Sequence, residues 1–316
     1  MKHQSTVLIT GGSGFIGRNL VAELSRNQEL RVISVDLTHI PTSMFDTAEY
    51  INCDLTDSTE VGKLPDVDFV FHLAAINGTQ RFYEEPWFVF YNSLVSTINV
   101  VNRYKDSSQL ERFIYTSSSE VYADRYLDET SGFKTDESVA VGFNDVLNPR
   151  WSYGGAKLAG EIGLNAAAVQ LGLKFTILRY HNVYGPNMGM NHVIPDFVDR
   201  ARRGEFLLVG GENVRSFIHI KDAIAATILA GFSKVTKGKI VHIGNESPVS
   251  MIDLAKIIMD ESGWEGELVV KEAPKGSTSF RCPDTSFLRN SLGFKSEFDL
   301  AKGIRDFLKF DEGVNK

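Results

Sequence analysis

Val7-Leu8-Ile9-Thr10-Gly11-Gly12-Ser13-Gly14-Phe15-Ile16-Gly17 is an apolar, β-prone run that breaks into glycines at 11, 14 and 17 and continues as a helical pattern. A strand that feeds a helix through glycines makes a phosphate-binding turn. Gly11 and Gly14 let the backbone turn tightly and approach a diphosphate. The helix opening near Phe15 and Ile16 offers free N–H groups and a positive dipole end, and Gly17 permits close helix–sheet packing. A glycine loop alone is a weak signal. Here Asp36 closes the next β-prone run, 19 residues after Gly17. A carboxylate there accepts from both ribose hydroxyls and repels a 2′-phosphate, while Leu37-Thr38 bring no arginine, so the pattern points to NAD rather than NADP.

Outward from that turn, short strands at 7–10, 31–36, 50–53, 69–74, 113–116 and 174–178 alternate with helical patterns at 15–26, 58–63, 89–104 and 153–171. This rhythm implies βαβ crossovers: an α/β fold with a Rossmann-type doubly wound parallel sheet, whose sites lie at the carboxyl ends of the strands. Past Arg179 the pattern changes. A helix at 193–203, strands at 206–209 and 214–218, a helix at 221–232 and a strand at 239–243 come first. A helix from Met251, a strand at 267–270, a loop through Arg281 and a helix at 300–308 complete the chain. No linker separates the two styles, so a smaller α/β substrate-binding lobe is interwoven with the first. The expected division is 1–179 plus about 220–243 for the cofactor domain. About 180–219 and 244–316 then form a lobe that caps a cleft.

Composition sets limits on function. The chain of 316 residues carries a net charge of −7 and is 43% hydrophobic, with a pI near 5.6. That charge argues against nucleic acid or an anionic membrane as the main partner. Cys53 and Cys282 cannot build a disulfide framework and read as small buried hydrophobes. No Cys/His cluster has zinc spacing, so no metal is expected. The N-terminus lacks the features of a secretory signal and no run is long and apolar enough to span a bilayer, so the expected location is the cytoplasm.

Further polar residues fall at strand ends. Asp54-Leu55 follows the third strand, where the acid can meet an adenine amino group or cap a helix. Leu73-Ala74-Ala75 closes the fourth, with small side chains where a backbone must lie against a cofactor, and His72 reads as a core histidine. Thr116-Ser117-Ser118-Ser119-Glu120-Val121-Tyr122 closes the fifth with hydroxyls able to bond a substrate alcohol. Tyr153 and Lys157 share one helix face, where an ammonium near a phenol favours the phenolate and makes a usable base. Glu161 continues that stripe. Gly155, Ala159 and Gly163 form another, and interior glycines cost a helix roughly 1 kcal/mol each relative to alanine. Something is therefore expected to approach that stripe closely: the cofactor, the sheet or another subunit.

Together these segments resemble the extended short-chain dehydrogenase/reductases, specifically the branch that modifies nucleotide-activated sugars. The resemblance also covers Arg179-Tyr180-His181-Asn182-Val183-Tyr184-Gly185-Pro186, Arg215-Ser216-Phe217-Ile218-His219 and Arg281-Cys282-Pro283-Asp284. It implies that Tyr153 takes the proton from a sugar hydroxyl, usually at C4, while a hydride passes from the same carbon to NAD. Lys157 would tune the phenol and bond the nicotinamide ribose, and Ser118, with Ser119 beside it, would hold the reacting sugar. Asn182, Arg215 and Arg281 would meet the diphosphate, the arginines having a surface ion pair as the alternative.

The fate of the 4-keto sugar decides the activity: return of the hydride to the other face gives a 4-epimer, elimination a 4-keto-6-deoxy sugar, and loss of carbon dioxide follows when C5 bears a carboxylate. Dehydratase relatives carry Thr-Asp-Glu where this chain has Ser118-Ser119-Glu120. The elimination acid is thus replaced by Ser119, while Glu120 keeps a decarboxylase or 4,6-dehydratase open. Ala123, the loop from Asp124 to Arg150 and His181 also depart from the usual pattern, and Arg81 is either a carboxylate contact or a rim salt bridge. The resulting expectation is an NAD-dependent nucleotide-sugar 4-epimerase. Net C4 dehydrogenase and non-catalytic NAD-binding regulator are further alternatives. Helices at 89–104 and 153–171 resemble those of the family's dimer contact, so a homodimer is expected.

Overall fold

The computed structural model describes residues 4–38, 48–123, 134–190, 192–204, 206–264, 266–271 and 280–314. Residues 124–133 of the long loop singled out above lie outside them. The chain divides into two compact units. The first holds the described residues up to Ala123 together with Val141–Arg179 and Ile224–Val241.

Its opening elements are β1 (Ser5–Thr10), α1 (Phe15–Leu24), β2 (Leu30–Asp36), β3 (Glu49–Asn52), α2 (Ser58–Val61) and β4 (Phe69–His72). Then come α3 (Thr79–Glu84), α4 (Pro86–Tyr104), β5 (Arg112–Ser118), a 3-10 turn (Ser119–Tyr122), α5 (Trp151–Leu171) and β6 (Phe175–Tyr180). Val7, Leu8 and Ile9 of β1 are fully buried, each contributing roughly 1.5–3 kcal/mol by leaving water. Such continuous apolar runs suit a parallel sheet covered on both faces. β1 pairs in parallel with β2 and β4, β2 with β3, and β4 with β5.

The next elements are β7 (Val183–Tyr184), α6 (Val193–Arg203), β8 (Phe206–Val209), β9 (Val214–Ser216), β10 (Ile218–His219), α7 (Ile220–Phe232) and β11 (Ile240–Ile243). The chain closes with β12 (Pro248–Ser250), α8 (Met251–Ser262), β13 (Leu268–Lys271), β14 (Phe280–Arg281), α9 (Ser286–Leu292) and α10 (Leu300–Val314). The main sheet has seven strands in the order β11-β6-β5-β4-β1-β2-β3. That is the expected Rossmann-type sheet, and its order reverses at β1 and β4, where a crevice opens at the carboxyl ends.

The second unit holds 134–140, Tyr180–Ala223 and the described residues from His242 onward. Its core is built by the apolar faces of α6, α8 and α10: Ile194, Phe197 and Val198, then Leu254, Ala255 and Ile258, then Ile304, Phe307 and Leu308. Ser250 caps α8 by accepting from the Asp253 amide. A three-stranded sheet in the order β12-β9-β14 belongs to this unit. Residues 134–140 join it through Thr135, whose amide donates to Cys282 and whose carbonyl accepts from Asp284.

Several boundaries differ from the sequence expectation. The fourth strand ends at His72, not residue 74, so Leu73 and Ala74 lie on the turn beyond it. α3 escaped notice because its six residues, between Gly78 and the Glu85-Pro86 break, are too few to show a period. The run 214–218 is two strands in different sheets, interrupted at Phe217. Arg281 stands on β14 rather than in a loop.

The closest approaches to α5 within the chain fall off the 155/159/163 stripe. Added Cβ atoms at Gly154 and Gly160 would lie 2.9 Å from the Glu120 carbonyl and 2.2 Å from the Tyr115 hydroxyl. At Gly155 the nearest neighbour is 3.9 Å away, and at Gly163 none lies within 4 Å. Within the chain the tight approaches are therefore at 154 and 160. By contrast Tyr153, Lys157 and Glu161 are all buried.

Candidate active site

The glycine turn is tightly packed. Gly11 adopts φ +70°, and a Cβ on it would sit 2.8 Å from the Ala74 amide nitrogen. Gly17 would carry a Cβ 2.0 Å from the Gly11 carbonyl. α1 starts on Gly14, which caps it with no side chain, leaving the helix end to a ligand or water. Asp36 accepts from the Ser13 amide at 3.0 Å and from the Thr38 amide at 3.1 Å, tying β2 to this turn. Gly17→Ala is expected to lower the melting temperature by several degrees and to abolish NADH binding in a fluorescence titration, because the methyl meets backbone that cannot yield.

A cavity of about 450 Å³ lies against the turn. Of the candidate cofactor residues, Gly11, Gly14, Asp36, Asp54, Leu55, Leu73, Ala74 and Ala75 line it. Phe15, Ile16, Gly17, Tyr153 and Lys157 are not among its lining residues. Asp54 is not a helix cap: its carboxylate accepts from the Thr56 amide and hydroxyl, while Asp57 caps α2. Sequence reasoning missed Arg18, Asn92 and Ser96 on the lining. Asn92 and Ser96 stand four residues apart in α4, a polar pair on one face that the pattern offered.

His72 is a core residue, as read. Its imidazole bonds the Thr10 hydroxyl at 2.7 Å and the Thr97 hydroxyl at 3.0 Å, and burial, with the Lys157 charge, holds it down at about 3.

The second cluster forms where β5 runs into its 3-10 turn beside α5. Ser118 Oγ accepts from the Glu120 amide at 3.2 Å and stands near the Tyr153 phenol. Burial, and then the Glu120 charge, raise the phenol's proton affinity, while the Ser118 hydroxyl lowers it. Phe82 of α3 stacks on the Tyr153 ring, centroids 5.3 Å apart and planes at 8°. No motif flagged Phe82.

Lys157 is 1% exposed, and its ammonium nitrogen has no hydrogen-bond partner among the described residues. Its charge is 4.9 Å from the Tyr115 ring centroid and 5.8 Å from that of Tyr153. Burial pulls its pKa down to about 7 against support from Glu161. A buried orphan ammonium one helical turn from a phenol calls for an outside acceptor, such as a ribose hydroxyl. With the uncapped α1 and the cavity, that residue set fits a dinucleotide.

Glu120 pairs with Arg150, whose Nη2 lies 3.4 Å from both carboxylate oxygens. Ser119 is buried in the same turn.

In the second unit, Asn182 donates to the Ser216 carbonyl at 2.9 Å. Arg215 and Arg281 are direct register partners on the parallel strands β9 and β14. His181 is buried against His242, ring centroids 4.7 Å apart. Arg81 lies 3.7 Å from Glu85, both half-exposed. Among the described residues no group of His, Cys, Asp and Glu could hold a metal.

Residues 7–244 match the family described as NAD dependent epimerase/dehydratase. The chain belongs to that family. A putative UDP-glucose 4-epimerase of Methanocaldococcus jannaschii is 28% identical, over 98% of this chain and 99% of its own. The UDP-N-acetyl-alpha-D-glucosaminuronate decarboxylase of Bacillus cytotoxicus is 30% identical, over 96% of each. Among solved structures, a UDP-glucose 4-epimerase of Thermotoga maritima with UDP-glucose superposes with a TM-score of 0.87 at 26% identity, over 98% of this chain and 100% of that one. The membership makes this chain an NAD-dependent enzyme of the nucleotide-sugar epimerase/dehydratase type, an extended short-chain dehydrogenase/reductase.

Proposed function

We propose that this enzyme is a nucleotide-sugar 4-epimerase that works through a 4-keto sugar, with Tyr153 as proton acceptor. The observation that carries the reading is the buried, unpartnered Lys157 ammonium one helical turn from the buried Tyr153 phenol. NAD, when bound, supplies the hydride acceptor at C4. Tyr153 takes the hydroxyl proton at its phenolic oxygen and returns it after the ketone has turned. Ser118, near the phenol, favours the phenolate. Lys157 acts as a charge on the same helix face, and a ribose hydroxyl would hold it.

Gly11, Gly14, Phe15, Ile16 and Gly17 would receive the diphosphate of the cofactor. Asp36 would take its adenosine ribose, Asp54 and Leu55 its adenine, and Leu73, Ala74 and Ala75 would lie along it. The Asp36 carboxylate favours NAD over NADP because it would repel a 2′-phosphate. The UDP-sugar relatives support a nucleotide-diphosphate sugar as substrate. Asn182, Arg215 and Arg281 would bind its diphosphate, and Ser119 its sugar.

The test is product identity. With UDP-, GDP-, dTDP- and CDP-hexoses, NMR is expected to find a C4 epimer. Only dehydrated or decarboxylated product would overturn the reading. Glu120, close enough to act on Tyr153, and the decarboxylase relative favour decarboxylation as the second reading. In that case Glu120→Gln halts chemistry after C4 oxidation, whereas the epimerase reading expects turnover to continue.

Lys157 also yields a pH prediction. Its pKa falls from 10.5 to about 7 on folding, so the unfolded chain binds more protons between those values and stability rises with pH across that window. Below pH 7 the cost of the buried charge is fully present, and above 10.5 it is gone. Relative to Lys157→Met, the cofactor-free protein should therefore gain urea resistance from pH 7 to 10. A parallel pair of curves would refute the buried-ammonium account.

A homodimer in the cytoplasm completes the reading. Trp87 (71% exposed) and Tyr91 on α4, with Ile162 and Val169 on α5, leave apolar surface uncovered beside the open Gly163, as a twofold helix contact requires. Light scattering is expected to give twice the chain mass at micromolar concentration. No helix among the described residues is long and apolar enough to cross a membrane.

A further inference from the structure

Arg150 ends the loop before α5, and the proposed reaction gives it no role. Its guanidinium lies over the Trp151 ring, 5.4 Å from the centroid, and its Nη2 spans both oxygens of Glu120 at 3.4 Å. Both side chains are mostly buried, at 25% and 18% exposure. The pair therefore joins the N-terminal end of α5 to the 3-10 turn of Ser119–Tyr122. That turn presses on α5 already, since the Glu120 carbonyl leaves no room for a Cβ at Gly154. The residue before the turn, Ser118, accepts from the Glu120 amide and stands near the Tyr153 phenol. One carboxylate thus sits beside the candidate base, and one arginine offsets it.

We infer that Arg150 is a positioning residue for the reaction: by pairing with Glu120 it offsets the carboxylate beside Tyr153 and straps the Ser118 turn onto the first turn of α5. The inference rests on the assignment of Tyr153 as proton acceptor. A carboxylate near a phenol keeps the proton on, because it would face a phenolate of like charge, and a cation paired with that carboxylate weakens the effect. The other groups around Tyr153 are Lys157 and Glu161 on its own helix, Tyr115 on β5, the neutral Phe82 on α3, and His72, which lies near Lys157. Glu161 is committed to Arg179 at 2.7 and 2.9 Å. Glu120 is the carboxylate that acts on the phenol, and Arg150 is its ion-pair partner.

The test is a tyrosinate absorbance titration of the NAD-saturated protein, taken as the difference from its Tyr153→Phe counterpart in each background. Arg150→Gln is expected to move the Tyr153 titration to higher pH by about one unit, and Arg150→Lys to restore most of it. In a Glu120→Gln background, Arg150→Gln should move it much less. An unchanged titration in Arg150→Gln, or an equal shift with and without Glu120, would overturn the inference. If Arg150→Gln does not fold, Arg150→Lys and Arg150→Met/Glu120→Gln decide: the inference requires both to titrate near the Glu120-neutral or wild-type position. Failure of the underlying base assignment would show separately, as undiminished turnover in Tyr153→Phe.

Discussion

Tyr153→Phe is expected to reduce sugar turnover by roughly 10²- to 10⁴-fold, the range for loss of a positioned acid–base group, while NADH binding and the melting temperature stay near wild type. The separation follows from the geometry. The ring that packs under Phe82 remains, so the local core of Phe82, Val89 and Tyr153 keeps its shape. Only the phenolic oxygen is lost. Steady-state kinetics beside a binding titration checks both halves. Ser118→Ala should give a smaller loss, because it removes a hydroxyl that favours the phenolate without removing the proposed base.

Glu161→Leu is expected to destabilise the fold by about 3–5 kcal/mol, the usual consequence of leaving one member of a buried ion pair alone. Arg179 and Glu161 are 3% and 6% exposed and meet through two bonds of 2.9 and 2.7 Å. Arg179 also donates to the Tyr122 hydroxyl at 2.6 Å, so the pair ties α5 and β6 to the end of the Ser118 turn. Although burial alone would lower the proton affinity of the guanidinium, Glu161 and Tyr122 hold it charged. Chemical denaturation measures the loss. Ile162→Ser, one residue away but 63% exposed, should change stability little. Arg179→Met combined with Glu161→Leu should recover much of the deficit, since no unpaired charge then remains.

Local chemistry in the sequence explains most of what could be read from it. The glycine turn, Asp36 and the alternation of β-prone and helical runs are set by neighbours in the chain, and the sheet follows from them. Tyr153, Lys157 and Glu161 were legible as a stripe because helical spacing fixes them to one face. Phe82 was not, since its role is a stack against a residue 71 positions away on a helix too short to announce itself. Gly160 was not singled out for a related reason: spacing names a face of α5 but not its neighbour, and the Tyr115 hydroxyl demands space at Gly160. Arg215 and Arg281 carried no spacing signal of their own. Their register across β9 and β14 joins segments 66 residues apart, and the strand around Arg281 is only two residues long.

The most direct measurement follows the hydrogen on C4. The NAD-loaded enzyme, given UDP-, GDP-, dTDP- and CDP-hexoses deuterated at C4, should convert one of them to its C4 epimer with deuterium still on C4. Epimer formed with the deuterium lost to water, or no epimer beside dehydrated or decarboxylated product, would contradict the account.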